Sequence, residues 1–135
     1  MDRERFEQSI RNAILEVPKR IRDAMDNVAF VVEDEVRSAR RSEELVRRGH
    51  VLLGLYQGIP LPRRGAGYSG VLPDKITIFK NVIEELAGFD DKRTTDLVRS
   101  TVHHEIAHHL GFDETAVQRW EARRRGKSSQ NVEQH

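Results

Sequence analysis

The chain contains no cysteine, which excludes a disulfide framework and every thiolate metal site. Any metal would have to be held by histidine, aspartate or glutamate. A large charge of one sign is also missing: 23 Lys and Arg stand against 22 Asp and Glu, for a formal net charge of +1. No overall field therefore selects for nucleic acid or an anionic membrane. No apolar run approaches the length of a membrane span. The opening residues, MDRERFEQSIRNAILE, are charged and amphipathic where a secretory signal needs an apolar centre. There are no internal repeats. The expectation is a cytoplasmic domain with neither membrane nor nucleic acid among its partners.

With 135 residues, 37% hydrophobic and 33% charged, the chain suits one domain with a modest core and a wet surface. That domain is expected over residues 1–125, with residues 126–135 (GKSSQNVEQH) a polar tail that frays. Phe6, Ile10, Ala13, Ile14 and Val17 recur at helical spacing, so an amphipathic helix opens the chain. Pro18 stops it and begins a second short helix through Met25. The run VAFVV (residues 28–32) reads as a buried strand. Residues 34–48 are dense in charge and suit a solvated excursion or a short helix over 43–48. HVLLGLY (residues 50–56) reads as a second strand, and the glycine-rich LPRRGAGYSG (residues 61–70) as a loop. A turn at Pro73-Asp74 precedes a third strand over residues 76–79. Asn81 can cap a short helix ending at Gly88. A long helix follows from Asp90 or Asp91 to Leu110, stopped by Gly111. A last helix runs from Thr115 to about Arg125.

The long helix carries the chemistry. Its end reads TVHHEIAHHLGFDE (residues 101–114), and His104-Glu105-Ile106-Ala107-His108 is an H-E-x-x-H pattern. Positions i and i+4 of a helix lie about 40° apart on one face. Two imidazoles so placed can meet at a single zinc ion, with Zn–N distances of about 2.0–2.1 Å. Glu105 stands one step round the helix, beside the ion's open position. A carboxylate there can take a proton from water and later pass it to a leaving amine. Leu97 and Thr101 lie above the two histidines, so the metal-binding face is expected to run into the core.

Two histidines leave zinc short of ligands. Gly111 allows a chain reversal under the ion, and the pattern H-E-x-x-H-x-x-G-x-x-H puts the third ligand at Glu114. Asp113 is the near competitor, although it is well placed to cap the last helix. Glu121 comes third. His103 and His109 flank the motif on other faces, where a supporting or surface role is favoured over ligation. His50 and His135 have no context that singles them out. Arg63, Arg64 and Tyr68, in the glycine-rich loop, are candidates for contacting the substrate or its oxyanion; pairing of the two arginines with acidic residues is the competing reading. Tyr56 suits core or sheet packing, and Arg123, Arg124 and Arg125 suit a solvated helix end.

Three segments together, LLGLYQGIPLPRR (residues 52–64), LPDKITIF (residues 72–79) and TVHHEIAHHLGFDE, make the chain resemble the short bacterial zincin-like metallopeptidases. The resemblance extends from Phe6 to about Trp120. It implies a compact α+β domain, a minimal zincin with a small mixed sheet over the active helix. The family's H-E-x-x-H-x-x-G-x-x-D pattern falls on His104, Glu105, His108, Gly111 and Glu114. This chain departs at the last position, with glutamate where the family usually has aspartate and Asp113 one residue earlier. The charged residues 34–48 are longer than the equivalent family loop.

The expected function is a zinc-dependent metallopeptidase, a hydrolase with one Zn²⁺ that acts on a peptide or protein as a monomer or small homo-oligomer. The alternative is a metal-stabilised binding or regulatory module without turnover, suggested by the small surface left for substrate subsites. A kinship with peptidases that cleave repressor proteins is disfavoured by the absence of a helix-turn-helix module.

Overall fold

The computed structural model describes residues 1–25, 27–35, 52–59, 73–111 and 119. Asp2 opens the first helix, α1 (Arg3–Glu16), by accepting a hydrogen bond from the Arg5 N–H at 2.8 Å, which satisfies one of the free donors of the first turn. Phe6, Ile10 and Ala13 form its buried stripe. Val17 adopts an extended conformation and ends the helix, as the ring of Pro18 requires of its neighbour. Pro18 then begins α2 (Lys19–Ala24).

Among the described residues three strands form one mixed sheet in the order β1-β3-β2. Strand β1 (Val28–Glu33) runs parallel to β3 (Asp74–Phe79), and β2 (Gly54–Gln57) runs antiparallel to it. The register pairs Phe30 with Ile76 on one side and Tyr56 with Ile76 on the other. The central position of β3 explains its near-complete burial, whereas every residue of β1 is half-buried. The expectation of a buried first strand is thereby corrected: among the described strands β1 lies at an edge, and its residues are half-buried.

Two other boundaries differ from the sequence reading. Strand β2 starts at Gly54 and runs through Gln57, because its ladder is set by pairing with β3 and not by the extent of the apolar run. Asp74, expected in a turn, is instead the first residue of β3 and is 2% exposed. Its N–H donates to the Asn27 carbonyl at 2.9 Å and extends the ladder by one residue.

Helix α3 (Lys80–Leu86) follows β3 directly, with Phe79 at its N-cap and no side-chain cap. Asn81, expected as the cap, lies inside the first turn. The helix ends in a Schellman arrangement. Phe89 N–H donates to Glu84 O at 2.9 Å and Gly88 N–H to Glu85 O at 3.0 Å, with Gly88 at φ 64°.

Helix α4 (Asp91–His109) is capped by Asp90, whose carboxylate accepts from the Arg93 N–H at 2.9 Å. It ends at Leu110, and Gly111 turns the chain with φ 90°. The α4 core stripe is Val98, Val102 and Ile106, each 0% exposed, packed with Phe6, Ile10, Ile76, Ile78 and Ile83. Leu97 is only partly buried against this cluster. Of the line Leu97, Thr101, His104 and His108 expected to enter the core, only Thr101 is buried, so the deepest face of α4 is rotated from it. The charged residues 36–48, the expected last helix apart from Arg119, and the polar tail lie outside the described residues.

Candidate metal centre

The site is built on the last two turns of α4. Thr101, Glu105 and Ala107 are buried, while His104 and His108 are half-buried. One ligand atom from each of His104, Glu105 and His108 can be chosen so that all lie within 4.8 Å of one another. The imidazoles of His104 and His108 stand edge to face, with ring centroids 4.8 Å apart. Nitrogen and carboxylate donors without sulfur suit zinc among common divalent ions. The residues therefore fit the ion that the spacing implies.

Strand β2 closes on this helix at a glycine. A Cβ added to Gly54 would lie 2.7 Å from Thr101 Cγ2 and 3.3 Å from Glu105 Cγ. Any side chain there would have to displace the Thr101 side chain or the strand itself, so the missing Cβ of Gly54 allows the close approach of β2 to Thr101 and Glu105. Sequence reading passed over Gly54, although an isolated glycine inside a strand pattern signals close approach of backbone.

Below the site three elements meet at one buried carboxylate. Asp74 Oδ2 accepts from Tyr56 Oη at 2.6 Å and lies 2.8 Å from His109 Nδ1. The Tyr56 and His109 rings are also in edge contact, 5.7 Å between centroids. Gly58 leaves room for the carboxylate, since a Cβ on it would fall 2.4 Å from Asp74 Cγ and Oδ1. Ionised, Asp74 can only accept, so Tyr56 and the Nδ1–H of His109 are its donors. His109, expected in a supporting role, is fully buried and points into this cluster. Tyr56, read as sheet packing, does pack there and adds a hydrogen bond. Asp74 was missed, because nothing local distinguishes a buried aspartate after proline from a turn residue.

On the opposite flank His103 is 3% exposed, and its Nε2 lies 2.8 Å from the Ala13 carbonyl of α1. A carbonyl only accepts, so Nε2 carries the proton and donates. Ala13 O belongs to the last turn of α1, whose carbonyls lack partners within the helix. Arg99 and Glu16 form an ion pair at 2.7 Å between the same two helices; both are well exposed, so it contributes little. Arg63, Arg64, Tyr68, Asp113, Glu114 and Glu121 lie outside the described residues.

No described helix is long and apolar enough to cross a membrane. No curated protein matches the chain. The sequence profile of the zincin-like metallopeptidases matches residues 25–124, a span that includes all three strands and the whole of α4. With its helices, its small mixed sheet and its His-Glu-His cluster, the chain belongs to the zincin-like metallopeptidase family.

Proposed function

We propose that the protein is a zinc-dependent peptidase in which His104 and His108 hold the ion and Glu105 is the general base. The observation that carries this reading is the convergence of His104, Glu105 and His108 within 4.8 Å on one helix. Glu114 completes the ligand set, with Asp113 and then Glu121 as alternatives one and seven positions away. A zinc ion held there supplies Lewis acidity, polarising the scissile carbonyl and acidifying water.

The rest of the chemistry belongs to the chain. Glu105 accepts a proton from the attacking water as its oxygen bonds to the carbonyl carbon. When the C–N bond breaks, the same carboxyl returns that proton to the departing amine nitrogen. The substrate is a peptide or protein, and Arg63, Arg64 and Tyr68 are the candidates for contacting it.

Glu105→Gln tests the reading, because the amide keeps the shape and cannot accept the proton. Peptide hydrolysis should fall by about two to four orders of magnitude, with zinc still bound at the wild-type ratio. Unchanged turnover overturns the role of Glu105. Bound zinc with no cleavage of a broad peptide library by the wild-type protein would favour a metal-stabilised binding module.

A further inference from the structure

His103 and His109 immediately bracket the H-E-x-x-H segment, and both are buried on hydrogen-bonding partners from other elements. Their directions are informative. At about 100° per residue, His103 lies about 120° to one side of the bisector of His104 and His108, and His109 about 120° to the other. The half-buried pair thus faces the site, while the two buried histidines hold the helix from behind, symmetrically. His103 is tied to the end of α1 through the Ala13 carbonyl at 2.8 Å. His109 is tied to the sheet through Asp74 at 2.8 Å, itself held by Tyr56 at 2.6 Å.

We infer that His103 and His109 are positioning residues: paired braces that fix the rotation of α4 about its axis and so aim His104 and His108 at one point. The physical need is quantitative. At the side-chain radius of a helix, about 5–6 Å, a rotation of about 10° moves a ligand atom about 1 Å. A metal site tolerates displacements of only about 0.5 Å. Apolar packing of Val98, Val102 and Ile106 is non-directional, so it leaves the exact rotation of the helix less sharply defined than hydrogen bonds do. A directional hydrogen bond on each flank does not slide. Rotation in either sense stretches one brace or the other.

This inference rests on the metal-binding reading of His104 and His108, and the test separates the two. Cobalt(II) is titrated into the full chain, and both its affinity and its visible absorption, which reports ligand geometry, are read. The variants are His109→Phe and His103→Phe, which keep a ring and delete the donor. They are compared with His109→Asn and His103→Gln, whose amide N–H groups stand near the positions of Nδ1 and Nε2 respectively.

Each phenylalanine variant should bind cobalt about tenfold or more weakly with an altered absorption band, and the amide variants should recover most of the affinity and the wild-type band. Phenylalanine variants with wild-type affinity and spectrum would overturn the braces while leaving the metal site standing. Amide variants no better than phenylalanine would also overturn them, because shape and not hydrogen bonding would then be at work. A wild-type chain that binds no cobalt would overturn the metal reading, and the braces with it. Should His103→Phe fail to fold, His103→Gln alone carries its test, wild-type affinity and band being expected and loss of either overturning that brace; should His109→Phe fail to fold, Tyr56→Phe carries the other. It removes one donor from Asp74 outside the helix, and a several-fold weaker cobalt affinity is expected; an unchanged affinity and spectrum would overturn the brace on His109.

Discussion

Asp74 and His109 lie 35 positions apart in the chain and meet in the interior, with 2.8 Å between Oδ2 and Nδ1 and both side chains almost wholly excluded from solvent. This contact ties the first residue of the central strand to the last residue of the helix that carries the candidate metal ligands. Asp74 does not stand out in its local sequence, and His109 does so only as a flank of the H-E-x-x-H segment.

Removing the carboxylate deprives Tyr56 and His109 of their shared acceptor in a buried setting. Asp74→Ala should therefore lower stability by about 2–4 kcal/mol. Asp74→Asn retains an acceptor oxygen and should cost less than half as much. Urea denaturation of the two variants beside wild type measures the difference, and equal losses would show that the carboxylate's charge and not its acceptor role is what matters.

Gly54 packs against α4 too closely for any side chain. Gly54→Ala must displace Thr101 Cγ2, now 2.7 Å from the ideal Cβ position, and should destabilise by about 1–3 kcal/mol. Thr101→Ser deletes that methyl group. In a double-mutant cycle the pair Gly54→Ala and Thr101→Ser should show favourable coupling of about 0.5–1 kcal/mol, since the two sites are in contact. Strict additivity would mean that the strain falls elsewhere, with the Thr77 carbonyl at 3.2 Å the next candidate.

Metal removal should be visible in thermal unfolding. Ligands that bind only the folded state stabilise it by about 2.7 kcal/mol at a hundredfold excess over Kd. For a chain of this size that corresponds to a rise of about 5–15 °C in Tm. Chelation should lower Tm accordingly and added zinc should restore it. His104→Ala should fold and lose the zinc-dependent shift; a shift of full size in that variant would remove His104 from the ligand set.

Phe89 is 75% exposed and has φ 60°, a conformation that costs a residue with a bulky Cβ substituent about 1–2 kcal/mol. Its ring is mostly in solvent, so little packing opposes the strain. Phe89→Asn, a residue that tolerates left-handed geometry, should raise stability by about 0.5–1 kcal/mol. Loss of stability on this substitution would reveal packing by the Phe89 ring.

The sequence by itself determined the H-E-x-x-H face and the helix that bears it. Both depend on spacing within a few residues: His104 and His108 are one turn apart wherever that helix is placed, and Asp90 and Gly111 mark its ends by local chemistry. The stripe of Phe6, Ile10, Ala13 and Val17 was legible for the same reason. Only the tertiary structure decided that β1 lies at the edge of the described strands, that β2 is confined to Gly54–Gln57, and that Asp74 is a buried strand residue. Those outcomes follow from pairing between distant segments, which no local pattern encodes. His103 and His109 show the division most plainly. Helical spacing set the faces on which they stand, but a carbonyl from α1 and a carboxylate from β3 gave those faces their partners. A buried histidine is stable only where the fold brings it an acceptor, and that is settled by long-range packing.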